Sequence, residues 1–109
     1  MVVDHELNEL RREFLDEARD KVTEMQSALD ALDALDGDAL DRVAYLAHQL
    51  KGSGGSYGYQ QISDDATELE KAIESLAGNN GDPATLDTKI RKHVTTLRNE
   101  IDGAVKELA

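Results

Sequence analysis

The sequence predicts an all-α domain that folds as an antiparallel, up-and-down four-helix bundle. Apolar residues recur every three or four positions through almost the whole chain, which is the spacing of helices with one buried face. The 109 residues match the size of one domain, 1–109, and the single proline, the lack of tryptophan and the scarcity of β-branched clusters disfavour a β-rich fold. Short connecting segments favour neighbouring helices that run antiparallel.

The first two helices are separated by a short acidic break. The first apolar stripe predicts one long helix over residues 4–35, from Asp4 to Leu35. The segment 36–38, Asp-Gly-Asp, ends it, because Gly37 suits a helix C-terminus and either aspartate can cap the next helix. The second helix is expected to run from about residue 38 into a glycine-rich segment. Its inward face comprises Leu40, Val43, Ala47, Leu50 and Tyr57.

The last two helices are separated by a turn. Residues 78–81, Gly-Asn-Asn-Gly, have the composition of a loop and end the third helix. Asp82 followed by Pro83 is a helix-start signal, with a capping residue before a first-turn proline. The fourth helix then runs to the end of the chain. The apolar faces of these two helices are Ile62, Ala66, Leu69, Ile73 and Leu76, and Leu86, Ile90, Val94, Leu97, Ile101, Val105 and Leu108.

The composition excludes several classes of function. With 12 Lys and Arg against 23 Asp and Glu, the net charge is −11, which disfavours nucleic acid and anionic membrane surfaces as partners. The absence of cysteine excludes disulfides, thiol catalysis and thiolate metal sites. No apolar run approaches the roughly 20 residues that span a bilayer, and no signal peptide opens the chain. We therefore expect a soluble, cytoplasmic domain, and the compact start and helical end favour a stand-alone module.

The segment 48–58, His-Gln-Leu-Lys-Gly-Ser-Gly-Gly-Ser-Tyr-Gly, does not fit a plain bundle. Glycine inside a helix is less favourable than alanine by up to about 1 kcal/mol, so a helix that continues through Gly52, Gly54 and Gly55 loses about 3 kcal/mol. Two interpretations follow. Either the helix ends near Lys51 and the glycines form a loop, or another backbone or another protein approaches closely here.

Helical geometry places His48 on the outer face of the second helix. At about 100° per residue, Gly52 and Gly55 both lie within about 40° of His48, whereas the core-facing Leu50 lies on the opposite side. A patch without side chains around one outward imidazole indicates a docking surface. An ordinary exposed histidine is the alternative, but it leaves the glycines unexplained.

His48 also has neighbours that suit chemistry at its ring. An exposed imidazole is nucleophilic at neutral pH. The ammonium of Lys51, one turn further on, can stabilise negative charge added to the ring, such as a phosphoryl group. If helices two and three pack side by side, Glu70 can accept a hydrogen bond from the other ring nitrogen; otherwise it is an ordinary solvated glutamate. No second catalytic carboxylate and no metal cluster accompanies His48, which disfavours self-contained catalysis.

These residues resemble the histidine-containing phosphotransfer (HPt) domain of two-component phosphorelays. The similarity is carried by residues 47–53, Ala-His-Gln-Leu-Lys-Gly-Ser, followed by Gly55, and by Gly58 and Tyr59, with Gly58 ten residues after the histidine. Residues 69–70, Leu-Glu, resemble the apolar-Glu pair of many members, including the phosphotransfer domain of chemotaxis kinases.

The resemblance implies a role for each of these residues. His48 would carry the phosphoryl group on Nε2, Lys51 would stabilise the phosphohistidine, and Glu70 would orient the imidazole. Gly52 would keep the surface open for a partner, and the other glycines would help a close approach or the turn into helix three. The docking surface would comprise Tyr45, Gly52, Gly55 and Gly58.

The resemblance also implies the partners. HPt domains are phosphoryl carriers and not enzymes, so the transfer chemistry would come from a sensor histidine kinase and from response-regulator receiver domains. No cofactor is expected on this chain, because the receiver supplies the acidic pocket and its Mg²⁺. We expect a monomer.

Two other functions are compatible with parts of the sequence. An adaptor bundle would bind a partner without phosphate chemistry. An enzyme that used His48 as an acid or base would need a second catalytic group, which the sequence does not offer. Of the other histidines, His93 lies beside the apolar stripe of helix four and His5 lies near the N-terminus, and neither is expected to form a site.

Overall fold

In a computed structural model, which describes residues 4–31 and 37–108, the chain forms four helices and no strand within those ranges. Each helix packs against the next along the chain, and the last packs against the first, so that the bundle closes. The predicted all-α, antiparallel four-helix bundle is confirmed. No helix of the described part of the chain is long and apolar enough to cross a bilayer. The helices are α1 (Asp4–Asp30), α2 (Gly37–Ser56), α3 (Gln60–Ala77) and α4 (Pro83–Leu108).

All four helices contribute apolar side chains to one continuous core. The predicted inward faces of α3 and α4 are buried at most of their positions, and complete burial of one such side chain contributes about 1.5–3 kcal/mol. The core therefore fixes the rotation of each helix and leaves the opposite face exposed. The largest fully buried side chains are Leu15, Met25, Leu50, Ile62, Leu69, Ile90, Leu97, Ile101, Val22, Val43 and Val94.

Helix α1 ends before the position predicted from its apolar stripe. It ends at Asp30, Ala31 forms a bend, and the predicted end at Leu35 lies outside the described residues. A tertiary contact satisfies a carbonyl group at this end. An Nη of Arg91 on α4 donates a hydrogen bond of 2.9 Å to the carbonyl oxygen of Leu29, which is one of the last carbonyls of a helix and has no helical partner.

The start of α2 differs from the prediction by its first residue. Gly37 begins α2, so its prediction as the end of the preceding helix is wrong. Asp38 lies in the first turn of α2, where a carboxylate is favoured by the positive end of the helix dipole. The other candidate cap, Asp36, lies outside the described residues.

Helix α2 continues without a break through Gly52, Gly54 and Gly55 and ends at Ser56. The interpretation in which the helix ends near Lys51 and the glycines form a loop is therefore wrong. The helix keeps its outer surface continuous from His48 to its last turn, and of its three glycines between Lys51 and Ser56 only Gly54 is closely approached by α3.

The turn from α2 to α3 is tight. Tyr59 N–H donates a hydrogen bond of 2.7 Å to the carbonyl oxygen of Gly54, and Gly58 has a φ of +85°, a conformation that glycine adopts without strain. Tyr57 lies just beyond the end of α2 and not within the helix, but its side chain packs against the core as predicted. It is half-buried, and its ring and that of Tyr59 stack on Phe14 of α1, with centroids 5.2 and 5.8 Å away.

The start of α4 is as predicted. Pro83 is its first residue, and Oδ2 of Asp82 accepts hydrogen bonds from the backbone N–H of Thr85 at 3.2 Å and from its hydroxyl at 2.8 Å. Asp82 therefore caps the helix, because it satisfies a first-turn N–H that lacks a helical partner.

Candidate functional site

Three polar side chains singled out in the sequence meet where α2 and α3 pack together. Nδ1 of His48 lies 3.2 Å from Oε2 of Glu70, and Nζ of Lys51 donates a hydrogen bond of 3.0 Å to Oε1 of the same carboxylate. His48 and Lys51 are one turn apart on α2, and Glu70 reaches them from α3. Its side chain is only 18% exposed, so Glu70 is not an ordinary solvated glutamate.

The surroundings of Glu70 keep it ionised. Partial burial by itself would raise the pKa of this carboxyl group, but the hydrogen bonds and charge of Lys51, together with the hydrogen bond to His48, outweigh burial and bring its pKa below the usual value. An ionised carboxylate only accepts hydrogen bonds, so Nδ1 of His48 must carry the proton. The neutral ring then keeps its lone pair on Nε2.

His48 projects outward, as the helical geometry predicts. Its side chain is 64% exposed, and Nε2 makes no hydrogen bond with any residue in ranges 4–31 and 37–108. The nitrogen that is left with the lone pair is therefore also the one that solvent and a partner can reach. This arrangement suits a nucleophile that receives a group from outside the chain.

Gly54 explains how α3 comes close enough to α2 to deliver Glu70. A Cβ atom on Gly54 would lie 3.2 Å from the backbone nitrogen of Ser63 and 3.3 Å from the carbonyl oxygen of Tyr59, both tighter than most packing contacts, so that the backbone of α3 would have to move. The hydroxyl of Ser63 also donates a hydrogen bond of 2.8 Å to the carbonyl oxygen of Lys51. Ser63 and Glu70 are seven residues apart, which is two helical turns, so the contact at Ser63 aligns Glu70 with α2.

Gly52 and Gly55 have a different environment. Among the described residues, a Cβ atom on Gly52 would meet nothing within 4 Å, and one on Gly55 would meet only the hydroxyl of Ser63 at 3.7 Å. The protein's own packing therefore does not require glycine at either position. Gly58 is explained by its positive φ. The sequence alone does not distinguish Gly52, Gly54, Gly55 and Gly58, because their environments depend on where α3 packs and on the backbone of the turn that leads into it.

Tyr45 lies on the same helix as His48, and its side chain is prominent on the surface. It is 52% exposed, its hydroxyl accepts a hydrogen bond of 2.9 Å from Nε2 of Gln49, and the guanidinium of Arg42 lies 5.5 Å from the centre of its ring. Arg42 is in turn paired with Glu24 of α1. These contacts order an exposed aromatic ring, a residue type enriched at protein interfaces.

An open groove of about 590 Å³ runs beside His48 on the side of α2 that faces α1. Lys21 of α1 is the wall residue that sequence reasoning missed, because its contribution depends on how α1 packs and no spacing in the sequence links it to the histidine. The residues that line the groove include Lys21, His48, Gly52, Ser53, Ser56 and Tyr57.

The remaining histidines do not join this site. His93 is partly buried beside the core residues of α4, and the side chain of His5 lies outside the described part of the chain. Within the described ranges, no three His, Cys, Asp or Glu side chains are grouped so that they could hold a metal ion.

Comparison with known proteins gives one finding. A family model described as the Hpt domain matches residues 9–106, a range that spans α2, α3 and nearly all of α1 and α4. No curated protein and no solved structure matches the chain.

Proposed function

The chain belongs to the Hpt domain family, and from that premise we propose that it carries a phosphoryl group on His48 between a sensor histidine kinase and receiver aspartates. Hpt domains take part in histidine phosphotransfer in phosphorelays, as carriers and not as catalysts. The observation that supports His48 most strongly is the pairing of its Nδ1 with Glu70, at 3.2 Å, while Nε2 is exposed.

The transfer step follows from that geometry. The lone pair of Nε2 attacks the phosphorus of an aspartyl phosphate on the receiver, the N–P bond forms, and the P–O bond breaks, so that the aspartate leaves as a carboxylate. Nδ1 keeps its proton, and the ring of His48 gains positive charge. The ionised Glu70 beside Nδ1 offsets that charge, and so would speed transfer in the direction of the histidine.

Lys51 has a supporting role in this proposal. In the free protein its ammonium donates to Glu70 at 3.0 Å, and its side chain is 38% exposed, so it is held one turn from His48 without being enclosed. It would hold the carboxylate in place and add positive charge near the phosphohistidine. We expect Lys51→Ala to fold normally and to shorten the lifetime of the phosphohistidine.

The docking surface of the proposal lies around His48 on α2. Tyr45 would be an anchor, and Gly52 and Gly55 would leave room for the partner, since among the described residues nothing crowds either position closely. Gly58 would contribute through the turn. The kinase or receiver would supply the catalytic groups, including the Mg²⁺ of the receiver, and this chain would act as a monomer without a cofactor of its own.

The test is a transfer assay. The purified domain is mixed with a phosphorylated receiver domain and Mg²⁺, and label on the chain is examined for the acid lability and alkali stability of a phosphohistidine. We expect label on the wild type and on the control His93→Gln, and none on His48→Gln. Persistent label on His48→Gln would contradict the proposal. Absence of label on the wild type across a broad panel of receivers and kinases would favour an adaptor.

A further inference from the structure

Lys21 presents a positive charge to the groove beside His48. Its side chain is partly buried and makes no ion pair or hydrogen bond with any residue of ranges 4–31 and 37–108. Other basic residues near the site differ in this respect, because Lys51 is bound to Glu70 and Arg42 is bound to Glu24. A partly buried lysine that pairs with no acidic residue of these ranges stands out in a chain with a net charge of −11.

The orientation of the imidazole directs its reactive nitrogen away from Lys51 and its partner. Nδ1 of His48 points at Glu70 on α3, so Nε2, on the other edge of the ring, projects away from α3. Helix α2 packs against α3 on one side and α1 on the other, and the groove that contains Lys21 lies on the α1 side. A group attached to Nε2 therefore projects away from Glu70, and the open groove lined by His48 and Lys21 lies beside the same ring.

We propose that Lys21 is the cation that binds the phosphoryl oxygens of phosphorylated His48, from across the groove between α1 and α2. This inference rests on the proposed function and assigns to α1 a part of the site that the sequence placed on α2 and α3. A phosphoryl group adds about 1.5–2 negative charges at pH 7, and a nearby ammonium makes charge-assisted hydrogen bonds to its oxygens. Lys51, which is bound to Glu70, would hold the carboxylate in place and add to the positive charge near the phosphohistidine, while Lys21 would contact the phosphoryl oxygens themselves.

The test uses the whole domain phosphorylated with phosphoramidate, a small-molecule phosphodonor, and follows the phosphohistidine by ³¹P NMR as the pH is varied. A cation beside the phosphoryl group favours its dianion, so we expect Lys21→Gln to raise the apparent pKa of the phosphoryl group. In transfer with a receiver, the equilibrium should move toward the receiver by about threefold to tenfold. Lys21→Arg should keep the wild-type behaviour because it keeps the charge.

The matched control is Lys92→Gln, which removes the same charge from an exposed position on α4. It should match the wild type in both measurements, so that the change in net charge alone is excluded as a cause. The role of Lys21 would be overturned if Lys21→Gln showed the wild-type phosphoryl pKa and transfer equilibrium. It would also be overturned if Lys21→Gln and Lys21→Arg changed both quantities by the same amount. In either case the phosphohistidine signal itself would remain. A wild type that takes no phosphoryl group on His48 would instead overturn the proposed function itself.

Discussion

Glu70 and Glu100 both lie between neighbouring helices, and they meet opposite surroundings. Glu70, between α2 and α3, is hydrogen-bonded to Lys51 and His48. Glu100 lies on α4, where it meets the carboxyl group of Asp65 from α3. Burial by itself raises the pKa of both glutamates, so the difference between them comes from the neighbours. Glu70 meets two nitrogen atoms, whereas Glu100 meets a second carboxyl group, whose effect on the pKa exceeds that of the hydrogen bond from Gln61.

The neighbours determine which form each glutamate adopts at neutral pH. Glu70 has a lowered pKa and stays ionised. Burial, and then the hydrogen bond and charge of Asp65, raise the pKa of Glu100 to about 8, so it keeps its proton. Oδ2 of Asp65 and Oε2 of Glu100 are buried and find no donor elsewhere in the described part of the chain. Two ionised carboxylates only accept hydrogen bonds, so a hydrogen bond between Asp65 and Glu100 requires a proton on one of them.

The comparison shows how similar positions in one bundle serve different purposes. In the α2–α3 contact the glutamate fixes the tautomer of a histidine and leaves its other nitrogen exposed. In the α3–α4 contact the glutamate holds a proton and makes no exposed nucleophile. A carboxylate between two helices is therefore informative about function only when its partners are known, and the following changes test the two contacts separately.

The largest expected effect comes from breaking the α2–α3 contact at Gly54. In Gly54→Leu the side chain would collide with the backbone of α3 at Ser63 and Tyr59, and we expect a loss of about 3 kcal/mol in the free energy of unfolding. Urea denaturation measures this loss. The matched control, Gly52→Leu, has open space and should keep or raise stability while it blocks docking at His48. Equal stability of the two variants would show that the close approach at Gly54 is not required.

The next effect concerns the α3–α4 contact and its proton. The pKa of Glu100 is about 8 in the folded protein against an ordinary value of 4.5, so the folded state binds more protons than the unfolded state between these values. Stability is therefore lost as the pH rises from about 5 to 8. Glu100→Gln, which cannot ionise, should remove most of this loss. Because solvent screens a partly exposed group, we expect a gain of about 2 kcal/mol at pH 8, which is less than the whole pKa shift would give. Thermal unfolding curves of the wild type and of Glu100→Gln at pH 5 and pH 8 measure this gain. A stability difference between the two proteins that is the same at both pH values would contradict the shared proton.

Glu70→Ala tests the α2–α3 contact through its chemistry. Without the carboxylate, nothing on α3 holds the proton on Nδ1 of His48, and we expect transfer from a receiver to slow about tenfold. ¹⁵N NMR of the imidazole should show more of the tautomer with the proton on Nε2. Glu100→Gln is the control, because it changes a glutamate on another contact and should leave transfer unchanged. An unaltered tautomer in Glu70→Ala would remove Glu70 from the mechanism.

The smallest effect is the loss of stability in acid that comes from Glu70 at the α2–α3 contact. The pKa of Glu70 is lowered on folding, so its contribution to stability is complete above the ordinary value of 4.5 and is lost as the pH falls through the folded value. Because the site is open to solvent on the side of His48, we expect this contribution to be below about 1 kcal/mol. Urea denaturation at pH 6 and pH 3.5 should show a smaller loss of unfolding free energy in acid for Glu70→Gln than for the wild type. An equal loss in both proteins would contradict a stabilising role for the ionised Glu70.

The sequence predicts much of the bundle and of the α2–α3 contact, because both depend on local spacing. The apolar periodicity predicts which faces are buried, and the offset between His48 and Leu50 places the imidazole outside. Glu70 is predicted only on the condition that α2 and α3 pack side by side, which no residue pattern guarantees. Glu70 follows the buried Leu69 by one residue, which places it beside the buried face of α3, where it can reach α2.

The features that the sequence does not predict depend on contacts between distant segments. Gly52 and Gly54 look alike in one glycine-rich segment, and only the approach of α3 separates an open position from a crowded one. The carbonyl oxygen of Leu29 at the end of α1 is bound by Arg91 of α4, which is far away in the sequence. The pairing of Asp65 with Glu100 likewise joins two helices whose relative rotation is fixed by the whole core.

The central claim is that Nε2 of His48 carries the phosphoryl group while Glu70 holds Nδ1. The most direct measurement is to phosphorylate the ¹⁵N-labelled domain from a receiver and to locate phosphorus on the imidazole by ³¹P and ¹⁵N NMR. We predict a phosphorus–nitrogen coupling at Nε2 of His48 and a proton that remains on Nδ1. Coupling at Nδ1, or phosphate on any other residue, would contradict the account.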